Sequence, residues 1–184
     1  IFYVSADTDY KNEYPEYRTK ETDEELAASV ANVVAKASQK GFGAVKESHL
    51  KDYQKLFDRV TLDLGQAASD KTTDMLLAAY KNNSASDSEK RLLEVILYQY
   101  GRYMTIASSR AGDLPSNLQG VWQNRVGDHN RVPWGSDYHM NVNLQMNYWP
   151  TYSANLAECA IPLIDYVNSL LEPGRVTAEA YFVI

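Results

Sequence analysis

The chain has 184 residues, of which 45% are hydrophobic and 23% are charged, and its formal net charge is −6. This composition predicts a folded core, and the acidic balance argues against a sequence-independent nucleic-acid binder, which needs clustered Lys and Arg. No apolar run reaches the ~18 residues of a membrane span, and the only cysteine, Cys159, excludes a disulfide within the chain and a Cys-rich metal site.

The first seventy residues predict a short strand, a polar loop and two helices. Residues 1–5 are typical of a strand and residues 7–20 of a loop. Thr22 and Glu25 have the spacing of a capping box, which predicts a helix start, and Gly41 is placed to end that helix with a positive φ. We expect a second helix over residues 49–58, capped by Ser48, and then a strand or an extended linker over residues 60–64.

The rest of the chain predicts mainly helices. Thr72 or Thr73 caps a helix that ends near residue 80, and the longest helix covers residues 88–107 with a wide apolar face. Residues 108–131 predict irregular structure. A last helix is expected over residues 154–171, kinked or split by Pro162 and ended by Pro173 and Gly174.

The segment between Pro115 and Pro150 is rich in neutral amides and indoles. It contains six Asn, three Gln and all three Trp, but only two carboxylates. An amide side chain offers both a hydrogen-bond donor and an acceptor, which is what a neutral polyhydroxylated ligand such as a sugar requires. Trp122 and Trp134 are candidates either for stacking on a sugar ring or for core packing, whereas we expect Trp149 in the core.

Residues 139–146 alternate between polar and apolar side chains. An extended backbone would place His139, Asn141, Asn143 and Gln145 on one side of the chain. If a helix begins near Asn143 instead, Asn143 and Asn147 share one of its faces. In either case we expect Asn141 and Asn143 to face the same cavity, with Gln145 as a further candidate for contact with a substrate.

Several motifs resemble those of glycoside hydrolase family 95, the α-L-fucosidase family that acts chiefly on terminal α-1,2-linked fucose. Together they cover about residues 91–178 in the family's order, and residues 1–90 match it more weakly. The motifs are Tyr100-Gly101-Arg102-Tyr103, Ser108-Ser109-Arg110, Leu114-Pro115-Ser116-Asn117-Leu118-Gln119-Gly120-Val121-Trp122, His139-Met140-Asn141-Val142-Asn143, Gln145-Met146-Asn147-Tyr148-Trp149-Pro150, Asn155-Leu156-Ala157-Glu158-Cys159, and Glu172-Pro173-Gly174-Arg175-Val176-Thr177-Ala178.

The resemblance implies a mainly α fold that is the N-terminal part of an (α/α)6 barrel, with linker helices and a short β remnant. Residues 1–20 would end a preceding β-rich domain, residues 21–71 would form a helical linker, and residues 72–184 would supply the first helices of the catalytic barrel. The chain would then be a segment of a longer protein, and the remainder of the barrel would pack on it.

The resemblance also implies roles for individual residues. Asn141 and Asn143 would hold and activate the attacking water of an inverting hydrolase, and His139 would contact the sugar. An amide is a very weak base, so Asn143 requires a polarising Asp. In the family that Asp and the general-acid Glu lie further along the barrel, which predicts that this chain alone is inactive. We interpret Asp137 and Glu158 as structural groups.

The expected partner is a fucosylated oligosaccharide or glycan, with no nucleic acid, no membrane, no metal and no cofactor. The family is common among bacteria that process glycans outside the cytoplasm, which implies an extracellular or periplasmic location. Three alternatives stay open at this point: an α-L-galactosidase of the same family, a non-catalytic carbohydrate-binding helical domain, and a helical interaction domain that binds no sugar.

Overall fold

The computed structural model describes residues 1–120 and 137–182, and the described chain is mainly helical. This confirms that the chain is mainly α. Within these residues a single antiparallel bridge, between Tyr10 and Arg18, is the only β pairing. The helices are α1 (Asp23–Lys40), α2 (Phe42–Phe57), α3 (Thr73–Lys81), α4 (Asp87–Ser108), α5 (Asn143–Tyr148), α6 (Pro150–Ser153), a 3₁₀ turn (Ala157–Ala160), α7 (Ile161–Ser169) and α8 (Leu171–Phe182).

Local capping sets several helix ends, and here the sequence predictions are confirmed. Thr22 and Glu25 form the complete capping box of α1, and Gly41 ends that helix with a φ of 76°. Thr72 is the N-cap residue of α3, although its side chain makes no capping hydrogen bond. A second capping box, which was not among the predictions, is formed by Ser86 and Glu89 and starts α4. Each of these signals lies within four residues of the helix end that it sets, so no distant part of the chain is needed to form it.

Other predicted boundaries are wrong. Residues 1–5 form no strand. Residues 60–64 form no strand either, so of the two alternatives offered for them the linker remains. Helix α2 begins at Phe42 instead of residue 49, so Ser48 lies inside it and its Oγ accepts a hydrogen bond from Lys40 Nζ at 2.6 Å.

The predicted helix over residues 154–171 is replaced by the 3₁₀ turn, α7 and the start of α8. A break at Asn155, whose φ is 56°, separates α6 from the 3₁₀ turn. Pro162 lies in the first turn of α7 and Pro173 in the first turn of α8. A proline is tolerated there because those N–H groups have no partner within the helix.

The chain divides into two compact units, Ile1–Lys55 with Leu163–Ile184, and Leu56–Pro162. In the first unit, α1 and α8 bury no residue completely. Its N-terminal loop is tied to the end of α7 by a hydrogen bond of 2.9 Å from Asn12 Nδ2 to Ser169 Oγ. Burial raises the pKa of Tyr166 in the same unit.

No helix among the described residues has both the length and the apolar character needed to cross a bilayer.

The second unit holds the core of the described chain. All the buried hydrophobic residues belong to it: Leu56, Leu76, Ala79, Ala85, Ile106, Leu144, Tyr148, Ala154, Leu156, Cys159 and Ala160. Three polar or charged residues, Arg102, Ser109 and Thr151, are buried among them. Because buried polar groups are costly unless they are hydrogen-bonded, these three residues have to be matched by specific partners.

Arg102 on α4 is the buried charge, with 3% of its surface exposed. Its guanidinium lies over the Phe57 ring, 5.2 Å from the ring centroid. It donates hydrogen bonds of 2.7–3.3 Å to the carbonyl oxygens of Leu56, Phe57, Val60 and Ala154 and to Oε1 of Gln99. One side chain thereby joins the C-terminal end of α2, the segment after it, α4 and the residue that follows α6.

The wide apolar face predicted for α4 is only partly covered. Arg102 and Ile106 are the buried residues of this helix. By contrast, 70% of Leu97, 58% of Tyr100 and 48% of Met104 is exposed. The described residues therefore leave much of this apolar stripe without a packing partner.

Replacing Arg102 by Met should destabilise the protein by at least about 3 kcal/mol, because several buried carbonyls lose a charged donor at once. Arg102→Lys keeps the charge but lacks the planar fork, so we expect it to recover less than half of that loss. Urea denaturation measures the free energy of unfolding. Arg91→Met, on an exposed position of the same helix, is the control, and equal effects at the two positions would contradict the role of Arg102.

Candidate functional site

A directed chain of hydrogen bonds joins the loop after α4 to α5 and the 3₁₀ turn. The Ser116 N–H donates to the Tyr148 hydroxyl at 2.7 Å. Tyr148 Oη lies 2.8 Å from Ser109 Oγ, and Ser109 Oγ donates to the Cys159 carbonyl at 2.8 Å. Because the Ser109 hydroxyl proton is donated to the Cys159 carbonyl, Tyr148 must be the donor in the bond between the two hydroxyls. Each hydroxyl in the chain both donates and accepts.

The loop at Pro115 and Ser116 is held by side chains from the segment around α5. The Tyr138 hydroxyl donates to the Pro115 carbonyl at 2.9 Å, and Asn147 Nδ2 donates to the Ser116 carbonyl at 3.1 Å. Together with the bond from the Ser116 N–H to Tyr148, three polar backbone groups of this loop are paired with side chains. The position of the loop is therefore fixed relative to α5.

The chain enters α5 through a tight turn. The Leu144 N–H donates to the His139 carbonyl at 3.0 Å, and the Met146 N–H donates to the Val142 carbonyl at 2.9 Å. The extended alternative for residues 139–146 is therefore wrong, and the alternative with a helix beginning near Asn143 is confirmed. Asn143 and Asn147, one turn apart, lie on one face of α5.

The predicted site residues occupy different environments. Asn141 is exposed within the turn, whereas His139 and Asn143, the first residue of α5, are half-buried. Gln145 uses its Nε2 locally, because that group donates to the Met140 carbonyl. Its Oε1 is buried and accepts no hydrogen bond from the described residues.

The three tryptophans divide between the described and undescribed parts of the chain. Trp122 and Trp134, the candidates for sugar stacking, lie outside the described residues. Trp149 was expected in the core, but 65% of its surface is exposed. That prediction is wrong, because Trp149 falls between α5 and α6, where its indole does not reach the core of the second unit.

Glu158, next to Cys159 in the second unit, forms an ion pair with Arg59. Glu158 Oε1 lies 2.7 Å from Arg59 Nη2, and the hydrogen bond with Arg59 holds the pKa of Glu158 below its ordinary value. This geometry agrees with the structural interpretation of Glu158. Burial raises the pKa of the Cys159 thiol, so this thiol is not a reactive thiolate.

An open groove of about 290 Å³ lies between the C-terminal half of α4, the loop around Ser116 and α5. Its wall carries hydroxyl groups, amide groups and apolar side chains, among them Thr105, Ser108, Asn117, Asn147, Met104 and Leu118. Asn141 and Asn143 are not among the described residues that line it. Within the described ranges, no three His, Cys, Asp or Glu residues are grouped closely enough to hold a metal ion.

Arg102, Ser109 and Tyr148 are the structurally important polar residues that the sequence did not single out. Each lies within a quoted motif, but motif membership alone does not say which side chains are buried. Their partners are distant in sequence: Ser109 is 39 residues from Tyr148 and 50 from Cys159. The residue types alone do not specify this pairing.

Residues 41–184 match the family model described as the glycosyl hydrolase family 95 catalytic domain. Alpha-L-fucosidase 2 of Arabidopsis thaliana is 36% identical over 85% of this chain and 18% of its own length. A protein described as probable alpha-fucosidase A of Aspergillus niger is 38% identical over 83% of this chain and 18% of its own length. A protein of the same description from Aspergillus oryzae is 32% identical over 86% of this chain and 22% of its own length. The chain thus spans about a fifth of the length of these relatives.

Replacing Tyr148 by Phe should lower the free energy of unfolding by about 1–3 kcal/mol, because the half-buried Ser116 N–H and the buried Ser109 hydroxyl each lose a partner. Tyr152→Phe is the matched control, since Tyr152 is 67% exposed and should change stability by less than about 0.5 kcal/mol. Chemical denaturation of both variants measures the difference. A Tyr148→Phe protein as stable as the control would show that this hydrogen-bond chain adds no stability.

The pairing of Glu158 with Arg59 predicts a pH dependence with a definite sign. Since the pKa of Glu158 is lowered in the folded state, its stabilisation is fully present above the carboxyl's ordinary pKa and is lost as the pH falls through the lowered value. Glu158→Gln should therefore cost at most about 1 kcal/mol at neutral pH, because the pair is partly exposed, and almost nothing near pH 3.

Unfolding curves of wild type and Glu158→Gln at the two pH values measure this difference. Glu47→Gln on the exposed side of α2 is the control and should show a much smaller change with pH. A Glu158→Gln effect that stays constant between the two pH values would exclude the ion pair as its cause.

Proposed function

The chain belongs to glycosyl hydrolase family 95, and on that premise we propose that it is the first part of the catalytic domain of an enzyme that releases terminal α-L-fucose from oligosaccharides. The match of residues 41–184 to the catalytic domain carries this proposal. Three relatives, one described as an alpha-L-fucosidase and two as probable alpha-fucosidases, support the substrate class, each at 32–38% identity to this chain.

The proposed domain plan assigns residues 1–20 to the end of a β-rich domain, residues 21–71 to a helical linker and residues 72–184 to the first helices of an (α/α)6 barrel. The exposed apolar stripe of α4, with Leu97, Tyr100 and Met104, supports it. A stripe of this kind requires a covering partner, because large exposed apolar surfaces mark sites of packing or association. The later helices of the barrel are the proposed cover.

In the proposed reaction, Asn141 and Asn143 position a water molecule for attack on the fucose anomeric carbon with inversion. Asn143 stands at the start of α5, where the first helical N–H groups have no partner within the helix. An amide oxygen accepts a hydrogen bond from the water but hardly removes its proton. A carboxylate elsewhere in the enzyme therefore polarises the pair, and a second one protonates the leaving oxygen.

The proposed sugar contacts are His139, Gln145, Trp122 and Trp134, and α-1,2-linked fucose is the proposed substrate. The amide-rich, weakly charged character of the segment supports a neutral polyhydroxylated ligand. Between residues 137 and 151, Asp137 is the only carboxylate, and Lys and Arg are absent. A missing substrate hydroxyl would leave polar groups of such a site unpaired, which gives strong discrimination.

The test is release of L-fucose from an α-1,2-fucosylated trisaccharide by a longer enzyme that contains this chain. Asn143→Ala should lower kcat by about 10²–10³-fold, the cost of removing one group that positions or stabilises the reacting atoms. Asn168→Ala, an exposed asparagine on α7, is the matched control and should retain turnover.

Circular dichroism should show the same helix content in both variants. Wild-type turnover by Asn143→Ala would contradict its proposed role. If the unmodified enzyme releases no fucose, the fucosidase proposal fails, and α-L-galactosides become the next substrates to assay. The 184-residue chain alone should be inactive in the same assay, because its partner carboxylates lie outside it.

A further inference from the structure

The turn that carries Asn141 and Asn143 is closed by a side chain as well as by the backbone. Gln145 Nε2 donates a hydrogen bond to the carbonyl oxygen of Met140, the residue directly before Asn141. The bond therefore closes a ring of the chain that contains both asparagines. The conformation of the turn, and with it the direction in which each asparagine side chain leaves the backbone, depends on Gln145.

Helix α5 needs this bond because its N-cap residue is apolar. The N-cap is Val142, which makes no capping hydrogen bond with its side chain, whereas the residues preferred at that position carry a side-chain oxygen. Gln145 is the third residue of the helix, the position from which the long side chain of a capping box reaches back over the helix start. A helix of six residues is marginal by itself, so its start relies on such a contact.

The rest of the Gln145 carboxamide makes no comparable contact. The residue is half-buried, and its buried Oε1 accepts no hydrogen bond from the described residues. The bond to the Met140 carbonyl is thus the one that fixes this side chain among the described residues. Replacing the carboxamide by an apolar group of similar length loses one hydrogen bond but also removes a buried acceptor, so the overall stability should change little.

We propose that Gln145 is a positioning residue for the hydrolysis: by closing the turn it holds Asn141 and Asn143 in the geometry that orients the attacking water. The inference rests on the proposed function, because that function assigns the water to these two asparagines. It is separate from the proposed contact of Gln145 with the sugar, since here Gln145 acts through the turn. A misplacement of reacting groups by about 1 Å can cost about 10²-fold in rate.

Gln145→Met is the variant that tests this role. Methionine keeps the unbranched length of the side chain and has a similar helix propensity, but it has no N–H to donate. Gln54→Met is the matched control, because Gln54 is exposed on α2. Both variants are made in a longer enzyme that contains this chain, and thermal melting shows that they are folded.

The first experiment separates turnover from sugar binding. With the α-1,2-fucosylated trisaccharide, Gln145→Met should lower kcat by about 10–100-fold, because the water is no longer held in place. An NMR titration with 1,5-anhydro-L-fucitol, a fucose analogue without the anomeric oxygen, should give the wild-type Kd, because an interaction made only in the transition state does not add to ground-state binding. Gln54→Met should match wild type in both.

Two results of this experiment would overturn the proposal. One is a wild-type kcat in Gln145→Met. The other is weaker binding of the fucose analogue with an unchanged kcat, which would show that Gln145 acts only as a contact with the sugar.

A second experiment does not depend on turnover. Hydrogen–deuterium exchange of the peptide that covers residues 139–148 should be about tenfold faster in Gln145→Met than in wild type, the effect of losing one hydrogen bond. Should Gln145→Met not fold, Gln145→Glu takes its place, because a carboxylate of the same length cannot donate to a carbonyl. Unchanged exchange in this peptide would overturn the proposal whatever the activity.

The unmodified enzyme separates failure of this inference from failure of the proposed function. If it releases no fucose, the proposed function fails, and the catalytic role of Gln145 fails with it even where exchange becomes faster. If it releases fucose while Gln145→Met retains both its turnover and its exchange, the inference alone fails.

Discussion

The second unit depends on the buried guanidinium of Arg102. Its charge is balanced by hydrogen bonds to backbone carbonyl oxygens, with no carboxylate partner among the described residues. Arg102 binds the carbonyls of Leu56 and Phe57, which are among the last four of α2 and have no partner within that helix. The negative end of the helix dipole favours a cation at this position. Arginine suits it because its planar fork reaches carbonyls in several directions, while its face packs on the Phe57 ring.

A second set of polar contacts connects the end of α4 to the candidate site. Ser109 follows α4, and its hydroxyl bonds Tyr148 and Cys159. Since Tyr148 also binds the Ser116 N–H, the loop, α5 and the 3₁₀ turn cannot shift independently without breaking buried hydrogen bonds. Such fully satisfied buried networks favour one arrangement over alternatives. The start of α5 at Asn143 is thus positioned by residues that the proposed reaction does not use.

The features predicted correctly from the sequence are those whose cause is local. The capping box at Thr22 and the positive φ at Gly41 each depend on a few adjacent residues. The incorrect prediction for Trp149 depends on tertiary structure, because the apolarity of an indole does not determine whether other residues pack on it. For Asn141 and Asn143 the residue pattern is compatible with a strand or a helix, and the bond from the Met146 N–H to the Val142 carbonyl shows that the helix forms.

The candidate site separates positioning from charge. Around α5 the described polar groups are mainly amides, hydroxyls and backbone carbonyls. The nearby charges of Glu158 and Arg59 are paired with each other. Neutral groups can hold a water molecule and a sugar with precise geometry, but they cannot supply the proton transfers of glycoside hydrolysis. A fucosidase built on this segment therefore needs its carboxylates to approach from other helices. In the proposed reaction, holding Asn143 at the start of α5 is then the contribution of this chain to the active site.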